Sequence, residues 1–194
     1  MHILSIGLSH TSAPLHLRER INFNEEQTRA ALARRSCGHL SDNMAEMVIL
    51  STCNRIELYA VSNQESFIEL EIFLSEVHGI NRDEYALHLY HHEDLEAARH
   101  LFNVAAGLDS LVVGEPQILG QVTRALELAR GQNTAGPILN RFFQTAIHAG
   151  KRARTETDIS RNPASVSSLA ASLSLRVVHH IAESQIVILG AGEM

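Results

Sequence analysis

The chain has 194 residues, 45% hydrophobic and 20% charged, which is typical of a globular protein able to bury a core. It has no apolar run near the roughly 20 residues of a membrane-spanning helix, and its first residues lack the basic start of a signal peptide. Two cysteines, Cys37 and Cys53, without paired spacing argue against a disulfide framework or a zinc ribbon. We therefore expect a cytoplasmic protein that does not enter a membrane.

The first predicted elements follow the order β-α-β-β-α-β. The strands are expected at residues 3–9, 47–51, 56–62 and 85–90, and the helices at residues 25–36 and 65–77. Asn24 is a suitable cap for the first helix, and Gly38 can close it. This order favours an α+β fold with a small ferredoxin-like sheet and helices on one face.

Further helices are predicted at residues 95–105, 116–130, 137–154 and 165–182. Pro116 and Pro137 suit the first turns of their helices, and Gly131 suits a helix end. Residues 185–189 read as an apolar strand that continues into a Gly-Ala-Gly turn. Such a turn opens a dinucleotide-binding unit, although a lone G-x-G is equally compatible with a simple strand-to-loop turn.

The net charge of −6 is unevenly distributed. Residues 1–119 hold 8 arginines, no lysine and 17 acidic residues, a net charge of −9, whereas residues 120–161 hold 7 basic and 3 acidic residues, a net charge of +4. Lys151, Arg152 and Arg154 cluster in the basic segment. They either contact RNA phosphates or form an ordinary solvated helix face.

A thiol and a guanidinium are close together in the sequence after the second strand. Cys53, Asn54 and Arg55 fall in the tight connection between two predicted strands, and asparagine suits such a turn. Arg55 can lower the pKa of the thiol or bind a substrate carboxylate. The alternative is that Cys53 is a small hydrophobic residue that closes a core strand.

Four sequence runs carry a resemblance to a known family. They are GLSHTSAP at 7–14 followed by RER at 18–20, LSTCNRIELY at 50–59, GLDSLVVGEPQILGQ at 107–121, and RARTETDI at 152–159. In this order they resemble the N-terminal part of glutamyl-tRNA reductases. We expect a catalytic glutamyl-tRNA-binding domain at residues 1–157. Residues 158–194 would then be a linker helix and the first strand of a truncated, NADPH-binding Rossmann α/β domain.

The resemblance implies NADPH-dependent reduction of glutamyl-tRNA to glutamate-1-semialdehyde, the first step of tetrapyrrole (5-aminolevulinate, porphyrin and haem) biosynthesis, through a thioester on Cys53. It places His100 near the thiol, where it could assist proton transfer; otherwise His100 is a structural histidine. The implied substrate-binding residues are Thr52, Asn54, Arg55, Ser110, Glu115, Pro116, Gln117 and Gln121. Without the resemblance, the two glutamines are equally well explained by solvation or helix capping.

The resemblance also implies partners and a cofactor. NADPH would bind at Gly190, Ala191, Gly192, Glu193 and Met194, although this chain alone should not bind it usefully. The longer family members are expected to be homodimers, with glutamate-1-semialdehyde aminomutase as a candidate partner, and this chain lacks their dimerisation helix. We predict no metal site. Two alternatives stay open: an NADPH-independent glutamyl-tRNA esterase, and a tRNA-binding module without activity.

Overall fold

A four-stranded sheet forms the centre of the protein. The computed structural model describes residues 1–34, 43–160 and 166–178, together with residues 185 and 187. The strands are β1 (His2–Ser9), β2 (Met44–Ser51), β3 (Arg55–Ser62) and β4 (Tyr90–Glu93). Their order in the sheet is β2-β3-β1-β4, and each neighbouring pair is antiparallel.

The described residues also form seven helices. They are α1 (Leu15–Arg20), α2 (Glu25–Arg34), α3 (Ile68–His78), α4 (Asp94–Ala106), α5 (Gln117–Gly131), α6 (Pro137–Glu156) and α7 (Val166–Val177). Among them, α4 packs mainly against α6, and α5 packs against β2. None of the helices within the described residues combines the length and the apolar character that crossing a membrane requires.

Helices lie on both faces of the sheet, with α3 on one face and α4, which follows the β-α-β-β-α-β unit, on the other. Neighbouring side chains of β4 show this, because successive residues of a strand point to opposite faces. His91 bonds to Glu71 of α3 at 2.7 Å, whereas the ring of His92 packs 4.7 Å from that of His100 of α4.

The prediction of a strand at residues 85–90 was wrong. Two 3₁₀ turns occupy Arg82–Glu84 and Ala86–His88, and the strand begins only at Tyr90. The side chain of Asn81 caps the first turn, and the buried Tyr85 hydroxyl donates to the carbonyl of Glu71 at 2.6 Å. These contacts favour turns over an extended chain.

Strand β1 approaches β3 closely because it carries a glycine. Gly7 is paired with Glu57 in the sheet. A Cβ atom at Gly7 would lie 2.8 Å from Glu57 Cγ and 2.9 Å from the Tyr90 ring. The missing side chain thus leaves room for both groups to meet over β1, which positions the polar cluster described below.

The other local predictions had mixed outcomes. Asn24 caps α2 as expected, because its side chain accepts from the N–H of Gln27 at 2.8 Å. The short helix α1 was not predicted. Of the predicted strand at 185–189, only residues 185 and 187 are described, and neither is in a strand. Cys37, Gly38 and residues 190–194 lie outside the described residues.

Candidate active site

The turn between β2 and β3 is held by its own threonine. Thr52 Oγ1 accepts hydrogen bonds from the backbone N–H groups of Asn54 and Arg55, both at 3.1 Å. The N–H of Thr52 donates to the carbonyl of Arg55 at 2.8 Å. The Thr52 hydroxyl therefore shapes the turn that carries Cys53.

The thiol of Cys53 is exposed on a fixed backbone. The backbone carbonyl of Cys53 accepts a 2.6 Å hydrogen bond from Arg18 Nη1 of α1. The next carbonyl, that of Asn54, accepts a hydrogen bond from the N–H of His10 at 2.8 Å. Elements on both sides thus hold the main chain while solvent reaches the sulfur. An exposed side chain does not fit the alternative in which Cys53 is a hydrophobic core residue.

Arg55 is buried beside this turn, with 1% of its side chain exposed. Its Nη1 lies 2.9 Å from Glu57 Oε1 and 2.9 Å from Asp109 Oδ2, and its Nη2 donates to the carbonyl of Asp109. Burial opposes the charge, but Glu57, followed by Tyr90 and Asp109, raises the pKa of Arg55 above its usual value. The guanidinium is therefore a permanent positive charge, held between Glu57 and Asp109.

Glu57 is the centre of a buried polar cluster. Its Oε1 accepts from Arg55, from His100 Nε2 at 2.8 Å and from the Tyr90 hydroxyl at 2.6 Å, while its Oε2 accepts from the Tyr59 hydroxyl at 2.6 Å. Burial alone would raise the pKa of Glu57, but His100 and Arg55 hold it well below the usual range. The carboxylate is ionised and fully engaged.

His100 of α4 reaches the site through that carboxylate. An ionised carboxylate only accepts hydrogen bonds, so we assign a proton to His100 Nε2. The ring packs against those of His92 and Tyr90, with centroid distances of 4.7 and 5.1 Å. This leaves Nδ1 as the ring nitrogen not bound to Glu57. His100 is thus linked to Arg55 through one shared carboxylate oxygen.

A loop at residues 107–116, the α4–α5 loop, forms another wall of the site. Gly107 and Gly114 both have positive φ angles, 81° and 83°, and the N–H of Gly114 donates to the carbonyl of Gly107 at 2.9 Å. Between them, Asp109 contacts Arg55, and Ser110 is buried. The hydroxyl of Ser110 has no hydrogen-bond partner within the part of the chain that is described, so it can bond to a ligand.

The remaining predicted substrate-binding residues follow this loop. The carbonyl of Glu115 accepts from Arg154 Nη2 at 2.7 Å, and Pro116 and Gln117 are exposed where α5 begins. Gln121, one turn further along, lines a cleft of about 190 Å³ that Ser51 of β2 also lines. The structure thus places Gln121 beside the strand that leads into the Cys53 turn.

His10 and Glu57 are site residues that the sequence analysis did not select. His10 Nδ1 is buried without a hydrogen-bond partner among the described residues. Burial, then the charge of Arg55, lowers the pKa of His10 and favours the neutral ring. An acid within the apolar run Ile56–Tyr59 was the signal that could have identified Glu57, because carboxylates are seldom buried without partners.

The basic cluster on α6 is smaller than its sequence suggested. Arg154 is only partly exposed and bonds to the loop at the carbonyl of Glu115. Arg152 is paired with Glu156 at 2.8 and 3.0 Å. Lys151 is exposed on the same helix. Any phosphate contact here must compete with the Glu156 pair.

One group with metal-ligand spacing is found among the described residues. It consists of His2, Glu93 and Asp94, where His2 Nδ1 lies 2.6 Å from Glu93 Oε1 and 3.5 Å from Asp94 Oδ2. It lies at the opposite end of β1 from the Cys53 turn. This group is therefore separate from the candidate active site.

Comparisons with known proteins show which family this chain resembles. The family described as "Glutamyl-tRNAGlu reductase, N-terminal domain" matches residues 6–157. Glutamyl-tRNA reductases of Syntrophotalea carbinolica and Pseudomonas fluorescens (strain Pf0-1) are each 44% identical to this chain, covering all of it and 44% of their own length. A solved structure of glutamyl-tRNA reductase from Methanopyrus kandleri has a TM-score of 0.69 and 35% identity, covering 90% of this chain and 39% of that one.

The chain spans less than half the length of these curated relatives. The similarity nevertheless extends over the whole chain, and the family match includes every residue of the site from His10 to Gln121. The chain therefore belongs to the glutamyl-tRNA reductase family, and its residues 6–157 match the N-terminal domain of that family.

Proposed function

We propose that this chain captures the glutamyl group of glutamyl-tRNA on Cys53. The observation that carries the proposal is an exposed thiol on a turn fixed from both sides, two residues before the buried Arg55. The thiolate is the nucleophilic form of cysteine. The relatives of this chain are glutamyl-tRNA reductases, and their name indicates the substrate that we propose.

In the proposed step, Cys53 Sγ forms a bond to the ester carbonyl carbon, and the bond from that carbon to the ribose oxygen breaks. The thiol proton is balanced by the proton gained on the ribose hydroxyl, so the products are a thioester and free tRNA. Covalent capture divides the overall reaction into easier steps. Arg55 would bind the side-chain carboxylate of the glutamyl group in a two-pronged contact.

Other groups line the same site in this proposal. Ser110 offers a buried hydroxyl to the bound acyl group, and Thr52 and Asn54 keep the turn in shape. His100 is a proton carrier through the ring nitrogen not bound to Glu57. The substrate contact extends from the loop into α5 through Glu115, Pro116, Gln117 and Gln121.

The family resemblance implies that NADPH would supply the hydride for the later reduction to glutamate-1-semialdehyde, the entry into tetrapyrrole synthesis. The proposed holders of NADPH are residues 190–194. The other partners that we propose for the longer proteins are a second copy of the chain and the aminomutase. We also propose a cytoplasmic location and a domain boundary at residue 157.

We also propose that residues 1–93 form a ferredoxin-like unit. The sheet order β2-β3-β1-β4 with antiparallel neighbours supports it, as does the chain order of the strands and helices. Helix α1 is an addition to the simple β-α-β-β-α-β pattern.

Release of tRNA under single-turnover conditions tests the function. The chain is mixed in excess with glutamyl-tRNA, and the free tRNA is measured on acid gels for the wild type and for Cys53→Ser. We expect one rapid release that the variant lacks. Release equal in both proteins would contradict the proposal, as would tRNA binding without any release.

Continued turnover without NADPH would instead identify an esterase. The exposure of Cys53 favours this second function, because water can reach a thioester formed there. Repeating the assay with glutamyl-tRNA in excess over the protein separates the two, since capture stops after one equivalent of tRNA whereas hydrolysis continues.

A further inference from the structure

Asp109 occupies the edge of Arg55 that a substrate carboxylate would need. Its Oδ2 lies 2.9 Å from Arg55 Nη1, and its carbonyl accepts from Nη2. The two contacts resemble the two-pronged bond of a guanidinium to a bound carboxylate. Arg55 is 1% exposed in this state, whereas the Asp109 side chain is 41% exposed.

The second anion on Arg55 cannot be exchanged in the same way. Glu57 is fully buried and accepts hydrogen bonds from four side chains, so its departure would leave several buried donors without a partner. Of the two carboxylates on the guanidinium, Asp109 is therefore the one that a ligand can replace.

The surroundings of Asp109 are suited to such an exchange. It lies in the α4–α5 loop between two glycines with positive φ angles. Its neighbour Ser110 has a buried hydroxyl that lacks a partner among the described residues, which points to a ligand at this position.

We propose that Asp109 is a specificity residue that selects substrates with a free α-ammonium group. The side-chain carboxylate of the ligand replaces Asp109 on Arg55, and the released Asp109 carboxylate pairs with the α-ammonium of the same ligand. This inference rests on the proposed binding of a glutamyl group at Arg55. The ligand class is thus an α-aminoacyl group with a carboxylate in its side chain.

Charge balance supports this selection. Before binding, Asp109 is paired with Arg55. A glutamyl group brings one negative and one positive charge, so both protein groups gain a new partner when their own pair is broken. A ligand without the ammonium would still have to break that pair, but it would leave Asp109 without a cation.

Two small amides allow a test that does not depend on acyl transfer. L-Glutamic acid α-amide carries both charges, and glutaric acid monoamide lacks only the ammonium group. Their dissociation constants are measured by NMR titration with the wild type, with Asp109→Asn and with the exposed-acid control Glu65→Gln. Thermal melting confirms that each variant is folded.

The wild type and Glu65→Gln should bind the amino-containing amide more tightly by at least about tenfold, the lower range for a hydrogen bond between charged groups. In Asp109→Asn this preference should disappear, because the amino-containing amide binds more weakly while glutaric monoamide binds more tightly. An unchanged preference in Asp109→Asn, equal weakening of both ligands, or no binding of either ligand to the wild type would overturn the inference.

Failure of the proposed function would have a different signature. A chain that shows the predicted ligand preference but releases no tRNA from glutamyl-tRNA would retain the specificity role of Asp109 and lose the capture reaction. A chain that releases tRNA through Cys53 while Asp109→Asn keeps its preference would retain capture and refute the role of Asp109.

Discussion

Replacement of Glu57 by glutamine tests the buried cluster behind the candidate active site. The substitution keeps the shape of the side chain but removes the charge that four donors share. Glutamine offers one acceptor oxygen, and its NH₂ group replaces an oxygen that accepts a hydrogen bond, so that two donors face each other. Arg55 keeps Asp109 as an anionic partner.

Loss of one partner from a buried ion pair typically costs about 3–5 kcal/mol. Since Asp109 remains and some hydrogen bonds survive, we expect Glu57→Gln to lower the free energy of unfolding by about 3 kcal/mol near pH 7. Urea denaturation followed by circular dichroism measures this value, with the exposed Glu65→Gln as control. A loss within about 0.5 kcal/mol of the control, the range of surface substitutions, would refute the reasoning.

The remaining predictions concern pH, the glycines and the turn. The folded-state pKa of Glu57 lies below its ordinary value of about 4.5. The difference in unfolding free energy between the wild type and Glu57→Gln should therefore be full above that pH and shrink as the pH falls below it. A difference that stays constant with pH would contradict this. Gly7→Ala should lower the free energy of unfolding by about 1–3 kcal/mol, because the new methyl group has no room. Gly120→Ala in α5, where space is open, should raise it by up to about 1 kcal/mol, and calorimetric melting compares the two variants. Arg18→Ala should slow tRNA release about tenfold through loss of the bond to the Cys53 carbonyl, while Arg20→Ala, which breaks a surface pair, should not; equal rates would exclude that role.

Local patterns were sufficient to predict the strands around the candidate thiol. Apolar runs before and after Thr52–Asn54 predicted β2 and β3, and the structure has these strands at Met44–Ser51 and Arg55–Ser62. The tight turn between them follows directly from the short spacing. Cys53 could therefore be placed in a turn from the sequence alone.

The partners of Arg55 could not be predicted in this way. Asp109 is 54 residues away in the chain, and it reaches Arg55 only because the α4–α5 loop packs against the start of β3. His100 reaches Glu57 from α4, 43 residues along the chain. Such contacts depend on tertiary packing, which no local pattern encodes.

The position of β4 was missed for a related reason. Tyrosine is common in strands. The buried hydroxyl of Tyr85, however, bonds to Ser75 and to the carbonyl of Glu71 and holds the chain in a turn. The true strand contains two adjacent histidines and an acid. It has little apolar alternation because its side chains bond to α3 and pack against α4.

The mass of the chain after brief contact with glutamyl-tRNA tests the central claim most directly. The reaction is quenched in acid, and the mass of the intact protein is measured by mass spectrometry. The adduct is then located by peptide mapping, and Cys53→Ser is treated in the same way as the control. We predict one added glutamyl group on Cys53 in the wild type and none on the variant. No adduct on a folded wild-type chain while the aminoacyl ester stays intact, or an adduct on another residue, would contradict the assignment of Cys53 as the acyl acceptor.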